Sequence, residues 1–427
     1  AGSAQTDPTI AAVDALFRDS LDQVGGGAAV LILHDGEVIH RAGYGTFSTE
    51  TRGPTASAAK WLSGGVIASL LSDGTLTLDD PLGDFFPSLT GPKRDITVRQ
   101  LFAHTSGIAS PRESGCLADT TTTLAACAER ILDRPLGAAP GAVFAYGGFS
   151  MQVAGRVGEI ATGKPWVELF EERIARPLGM TATTYVSATN PRVPGAMLTS
   201  IDDYGAFLQM VLDGGMYEGT RVLATDAVDA MLADQTEGAP VVFSPYQRYV
   251  STFPVLPPAD SIRYGIGVWR EQVAANGSVL DAASPGASGT SPWIDTERRI
   301  AGILLMDHRL TDAAGTYFEL KRLAREAVDR GVSTEPASRE SPLAIEAVWP
   351  NPARTRTVVS YAGDRAGSLA LAVVDALGRR VLSLERHALS PGGHQVSLDL
   401  RGLAPGAYRI VLSDGRQTTS QPLVVIR

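Results

Sequence analysis

Near residue 332 the hydrophobic pattern changes period, and that change limits the folds open to this 427-residue chain. Before it, apolar residues recur at helical spacing in some stretches and alternate or run together in others. Residues 332–342 (Val-Ser-Thr-Glu-Pro-Ala-Ser-Arg-Glu-Ser-Pro) have the composition of a linker. After them, 369–374, 395–400 and 408–412 alternate at period two, separated by turn signals at 376–378, 390–393 and 404–406. A helix buries residues three or four apart and a strand buries every second one, so the two textures imply two cores. We expect a first domain over 1–331, a linker over 332–342 and a small β-sandwich over 343–427.

Within the first part, residues 8–23 carry Ile10, Val13, Leu16, Phe17 and Leu21 at helical spacing. Residues 28–34 and 37–40 read as a hairpin about Asp35-Gly36. Helices are expected over 150–162, 166–175, 200–212, 225–232 and 316–330, and strands over 264–270, 277–282, 289–295 and 300–307. Residues 237–260, rich in proline and aromatics (Phe243, Tyr246, Tyr249, Phe253), are expected to cover a pocket. That order predicts an α+β fold: an antiparallel sheet flanked by helices, with a second, mostly helical lobe.

Several function classes drop out. A net charge of −9 disfavours nucleic acid and anionic membranes as partners. No apolar run approaches the ~18 residues of a membrane span. The chain opens Ala1-Gly2-Ser3-Ala4 with neither Met nor a signal-like apolar core, which fits removal of a signal or a recombinant boundary. Two cysteines, Cys116 and Cys127, share one stretch after 101–108 that reads as a long loop. In an exported protein they would form a local disulfide, and in a cytosolic one they would be buried thiols. Nothing in the sequence asks for a metal or a cofactor.

The chemistry concentrates at Ser57 and Lys60 in residues 55–62, which read as a helix N-terminus and lead straight into 63–71. Three residues apart on a helix, the two side chains share a face. That suits a serine nucleophile whose proton passes to a neutral, poorly solvated amine. Lysine is scarce: Lys60, Lys93, Lys164 and Lys321 are the only four, and only Lys60 has Ser at i−3. Tyr146 sits before a helix among glycines that let other groups approach, and a tyrosine beside an ammonium can serve as a base. Residues 284–293 (Ser-Pro-Gly-Ala-Ser-Gly-Thr-Ser-Pro-Trp) read as a small-residue strand edge able to lend N–H groups to a substrate.

Taken together, Ser57-Ala-Ala-Lys60, Tyr146-Gly-Gly148 and Ser284-Pro-Gly286-Ala287 resemble, in order and spacing, the three motifs of class C β-lactamases and their relatives. Those relatives include family VIII carboxylesterases, D-aminopeptidases and nylon-oligomer hydrolases. Leu101-Phe-Ala-His-Thr-Ser-Gly107, Arg176-Pro-Leu-Gly-Met180 and Tyr264-Gly-Ile-Gly-Val-Trp269 look like framework stretches of the same β-lactamase/transpeptidase-like fold. The resemblance, over about 10–330, implies Ser57 as nucleophile, Lys60 and Tyr146 as acid/base pair, and the N–H groups of Ser57 and Ala287 as oxyanion hole. It places Gly148, Ser284, Gly286 and Trp293 in the substrate-binding set. There is no Gly-x-Ser-x-Gly elbow, which counts against an α/β-hydrolase.

Two departures bear on substrate. The second motif usually ends in Asn, where this chain has Gly148, and the third usually begins with Lys or His, where it has Ser284. Losing an amide and a cation points towards a carboxylesterase on short-chain neutral esters. An Arg from elsewhere (Arg248, Arg263 or Arg270) could replace the cation. The alternatives are a β-lactamase, a D-aminopeptidase, a small-amide hydrolase, or a penicillin-recognising or inactive binding relative.

In the tail, Val348-Trp-Pro-Asn-Pro352, Val374-Asp-Ala-Leu-Gly-Arg379 and Leu403-Ala-Pro-Gly-Ala-Tyr408 resemble the C-terminal sorting domain of type IX secretion. That implies export from a Bacteroidetes-like bacterium to the surface or beyond, with the secretion machinery as a partner. An oxidising location is consistent with a Cys116–Cys127 bridge.

Overall fold

The computed structural model describes residues 8–110, 115–248, 256–258, 260–331, 344–349, 351–363, 367–375, 379–389, 392–413 and 418–426. Tyr249, Phe253, the expected linker and the expected turns at 376–378 and 390–391 lie outside the described residues, as does the side chain of Arg248. The chain divides into two compact units, Ala1–Val332 and Ser333–Arg427.

The first unit is built on a seven-stranded antiparallel sheet. Its strands are β1 (Gly27–His34), β2 (Glu37–Gly45), β3 (Arg263–Tyr264), β4 (Trp269–Val273), β5 (Val279–Ala283), β6 (Ser291–Asp295) and β7 (Ile300–Met306). Their spatial order is β3-β4-β5-β6-β7-β1-β2, so the chain's start and the unit's last strand meet at β1–β7. The β1–β2 turn holds Asp35 and Gly36 at φ 50° and 83°, the positive values that a two-residue I′ turn demands.

Six helices matter for the site: α1 (Pro8–Asp19), α2 (Ala59–Ser72), α3 (Leu124–Leu132), α4 (Phe149–Thr162), α5 (Ile201–Leu212) and α6 (Leu310–Asp329). β1 sends Ala28, Val30 and Ile32 into a core with Val13 and Phe17 of α1 and Tyr317 and Leu320 of α6. Its Ala29, Leu31 and Leu33 enter a larger core on the opposite face, with α2 and the helical lobe. Both faces being covered, every residue of β1 from Gly27 to Leu33 is buried and the strand reads as a continuous apolar run. α2 lies deeper still, with every residue from Ala59 to Leu70 buried. A helix apolar on all sides has no solvent face to offer and belongs inside.

Some expectations are corrected. The strand expected over 264–270 is a hairpin, β3 and β4 pairing Tyr264 with Trp269 around a tight turn in which Gly265 donates to the Val268 carbonyl at 2.8 Å. Period-two apolar residues run through both arms, and only Gly267 at φ 82° marks the reversal. Cys127 lies on α3, capped by Thr123, while Cys116 lies in the one-turn helix Gly115–Ala118, so the stretch is not one long loop. The residues 166–175 form α-helix only over Trp166–Phe170 and widen into a π-turn over Glu171–Ala175.

The second unit is all β. Strands β8 (Ala344–Trp349), β9 (Arg356–Gly363) and β12 (Gly392–Asp399) form one sheet in the order β8-β9-β12. The other sheet runs β11-β10-β13-β14, from β10 (Gly367–Val374), β11 (Arg380–Leu389), β13 (Gly406–Ser413) and β14 (Thr418–Val425). Val359, Tyr361, Leu371, Val373, Leu398, Ile410 and Leu412 build its own core.

Candidate active site

Ser57 occupies a one-turn 3-10 helix, Ala56–Ala58, that runs straight into α2. Ala56, just before it, is held at φ 42°, a left-handed conformation that costs a residue with a Cβ about 1–3 kcal/mol. The surroundings enforce it. Thr55 donates its N–H to the Met197 carbonyl at 2.9 Å, and its hydroxyl accepts from the Met197 N–H at 3.2 Å. On the other side the sheet comes so close that side chains would not fit. A Cβ on Gly286 would lie 2.1 Å from the Thr55 carbonyl oxygen, and one on Gly267 equally 2.1 Å from that of Lys60. The Ser57 turn is thus clamped between the Met197–Thr199 strand and the connections β3–β4 and β5–β6.

Lys60 is 3 % exposed, and its ammonium nitrogen lies 3.1 Å from Ser57 Oγ and 2.9 Å from the Pro194 carbonyl oxygen. Among the described residues it meets no carboxylate. Burial, with a smaller push from the Arg192 charge, pulls its pKa down to about 7. A lysine so placed exchanges its proton near neutrality. Its nitrogen stands 4.8 Å from the centroid of the Tyr146 ring. That ring stacks on Trp269 at 5.0 Å and leans against His104 at 4.6 Å and Tyr264 at 6.0 Å. His104 is fully enclosed; burial and then the Lys60 charge hold its imidazole well below its usual range, so it is neutral. The aromatic cage fixes Tyr146 without adding a charge.

A cavity of about 370 Å³ opens over this group. Ser57, Lys60, Tyr146, Gly148 and Ala287 line it together, with Arg192, Phe243 and Leu117. Three residues of the expected substrate-binding set are not part of the wall. Ser284 is 1 % exposed, its hydroxyl donating to the Gly267 carbonyl at 3.1 Å and reaching the Ser57 carbonyl at 3.5 Å. It braces the Ser57 turn from beneath. Gly286 serves the close approach to Thr55. Trp293 faces the other side of the sheet, in the core with Tyr317 at 5.9 Å. Alternation puts Trp293 on one face and its neighbours on the other, and the sequence does not tell which face looks at the cavity.

Two residues escaped sequence reading. Arg192 and Pro194 belong to Asn190-Pro191-Arg192-Val193-Pro194-Gly195, which carries no periodic signal. The loop is nonetheless fixed. Gln152 of α4 donates to Asn190 Oδ1 and to the Pro191 carbonyl, each at 3.0 Å, and accepts from the Val193 N–H at 3.1 Å. Asn190 in turn donates to the carbonyls of Cys116 and Asp119 at 2.8 and 2.9 Å. Cys116 and Cys127 are bonded, their Cα atoms 5.4 Å apart, so the bridge braces the wall that contains Leu117. Two prolines in six residues, free of any helix or strand pattern, were the available signal for a built loop. Arg263 and Arg270 are spent elsewhere, donating to the carbonyls of Ala239 and Leu232.

Residues 13–325 match the family described as Beta-lactamase, and residues 347–426 match the secretion system C-terminal sorting domain. Penicillin-binding protein 4 of Amycolatopsis lactamdurans is 27% identical over 259 residues, 50% of this chain and 66% of that protein. Esterase EstB of Burkholderia gladioli is 29% identical over 208 residues, 43% of this chain and 53% of its own length. A solved structure described as a candidate beta-lactamase from Bacteroides dorei is 29% identical, with a TM-score of 0.67, covering 74% of this chain and 99% of that one. The chain spans from about a third to about two thirds of the length of the curated relatives it matches.

Proposed function

The chain belongs to the Beta-lactamase family of serine hydrolases, and from that premise we propose that it is a carboxylesterase cleaving short-chain esters through an acyl-enzyme on Ser57. The observation that carries this reading is the buried Lys60 amine, 3.1 Å from Ser57 Oγ with a pKa of about 7. As a neutral amine, Lys60 takes the hydroxyl proton while Oγ attacks the ester carbonyl. The oxyanion receives the N–H groups of Ser57 and Ala287. Lys60, with the Tyr146 phenol beside it, returns a proton to the leaving alcohol, and a water deprotonated by the same pair then releases the acid. Ester cleavage needs only these groups. Gly148 brings no amide to grip a peptide-like substrate, which favours esters over amides and lactams.

The C-terminal unit is a secretion system sorting domain over 347–426, so the chain is exported by type IX secretion to the cell surface or outside.

Turnover of p-nitrophenyl butyrate, a chromogenic cephalosporin and a D-amino acid amide, measured side by side, tests the reading. Highest kcat/KM on the butyrate, lost in Ser57→Ala, supports it, as does a single phosphonate adduct on Ser57 by intact mass. A higher kcat/KM on the cephalosporin or the amide replaces it with the β-lactamase or aminopeptidase reading. No acylation of Ser57 by any of the three leaves a binding relative.

A further inference from the structure

We infer that Arg192 is the anion-recognition residue of this cavity, and that the ester it selects carries a carboxylate. The inference rests on the esterase reading above and sharpens it: a cation is present after all, on a different wall from the third motif.

Arg192 lines the same cavity as Ser57, Lys60 and Tyr146, and the described wall contains no Asp or Glu. Among the described residues its guanidinium makes no ion pair and no hydrogen bond. Arg18, Arg94 and Arg134 also lack such a partner among the described residues, but those three are exposed and Arg192 is not. Arg41, Arg99, Arg298, Arg299 and Arg325 of the same unit all close on carboxylates. Arg192 is also half-buried, and loss of water lowers its pKa with nothing opposing the shift. A desolvated cation without a counter-charge is costly unless something fills its donors. The backbone that carries it is held at the cavity, because Gln152, Asn190 and two prolines fix the loop on both sides. A guanidinium fork presented from a held backbone is suited to a carboxylate.

The position also explains how the site tolerates Ser284. With Lys or His there, two cations would crowd Lys60; with Ser284 buried against the Gly267 carbonyl, Arg192 is, among the described residues lining the cavity, the one other positive charge beside the base. An incoming carboxylate would offset the charge that helps depress Lys60. The pKa of Lys60 should therefore rise when an anionic substrate binds, and the acid limb of kcat should lie at higher pH for such a substrate than for a neutral one.

Paired esters test this on the full-length protein. Monomethyl glutarate against methyl pentanoate carries the charge on the acyl side, and 4-acetoxybutyrate against butyl acetate carries it on the alcohol side. In at least one pair the anionic member should lead by about tenfold to a hundredfold in kcat/KM. Arg192→Ala should collapse that ratio and Arg192→Lys should restore part of it. A wild-type preference for the neutral member of both pairs overturns the inference. So does a ratio unchanged in Arg192→Ala, as it would be if the guanidinium served only the fold. If no ester turns over, the esterase reading has failed separately. Arg192 is then judged by whether glutarate slows phosphonate labelling of Ser57 in the wild type and not in Arg192→Ala; no such difference overturns it.

Discussion

Two lysines of this protein are almost equally buried, and they live opposite lives. Lys60, 3 % exposed, faces a hydroxyl, a carbonyl and an aromatic ring, with no carboxylate among the described residues. Lys321 of α6, 2 % exposed, lies 2.5 Å from Glu271 of β4 and 2.8 Å from Asp281 of β5. Arg325 and Tyr246 complete that second group, bonding Asp281 and Glu271 respectively. Burial alone does not decide what a lysine does; the partners do. A compensated ammonium ties a helix to a sheet. An uncompensated one gives up its proton near neutrality and is available as a base.

The contrast breaks most sharply on activity. Lys60→Met should lower kcat/KM on an active ester by about 10⁴-fold or more, as loss of a catalytic base does, while a melting curve shows no loss of stability. The linkage supports the second half. The folded pKa of about 7 lies below the ordinary lysine value of 10.5, so the unfolded chain binds more protons between those values. Lys60 therefore costs stability at pH 7, and that cost fades as pH rises towards 10.5. A Lys60→Met variant that unfolds while Lys321→Met does not would invert the comparison.

Lys321→Met should show the opposite pattern, a loss of about 3–5 kcal/mol in urea unfolding because buried carboxylates are left uncompensated, with turnover per folded molecule unchanged. Burial already holds Glu271 above the usual carboxylate range. Its contribution to stability is present in acid and lost as pH rises. Removing Lys321 deepens that loss, so the deficit of the variant should be largest at neutral pH and shrink at about pH 5. An equal deficit at both values would mean that Glu271 is not the group left exposed.

A third region lies between these extremes. Replacing Cys116 and Cys127 together by Ala opens an 11-residue loop, which should cost about 2–3 kcal/mol of stability. Because the bridge braces Leu117 and, through Asn190, the Arg192 loop, KM should rise more than kcat falls. Loss of stability with KM untouched would place the bridge with Lys321, as scaffold only.

Smaller effects sharpen the Lys60 side. kcat/KM on a neutral ester should climb from acid with a midpoint near pH 7, as Lys60 loses its proton. Arg192→Ala removes a neighbouring positive charge, so that midpoint should move up by a few tenths of a unit. A move down would assign the limb to another group. Ending the chain after Gly331 should change kcat/KM less than about twofold, since every proposed catalytic residue lies in the first unit. A larger loss with the fold intact would bring the sorting domain into the site.

What could be read before any coordinates was local. Ser57 and Lys60 are neighbours because a helical turn makes i and i+3 neighbours wherever that helix sits. The Asp35-Gly36 hairpin and the helix Thr225–Leu232 follow from turn chemistry and periodicity, which are properties of short segments. The sandwich was legible from its period. Where segments had to be assigned to one side or another, local pattern ran out. Trp293 alternates correctly and faces the wrong core, and Ser284 occupies a motif position yet points down at Gly267.

The sequence by itself therefore determined the pairing of Ser57 with its neighbouring amine, the two textures and the family. Only the tertiary structure decided that, among the described residues, Lys60 meets no carboxylate while Lys321 meets two, and that Arg192 reaches a cavity that Ser284 does not. The reason is distance along the chain. Pro194 lies 134 residues from Lys60, and Glu271 lies 50 residues from Lys321. A charge is set by what folding brings within a few ångströms of it, and no spacing in the sequence encodes that.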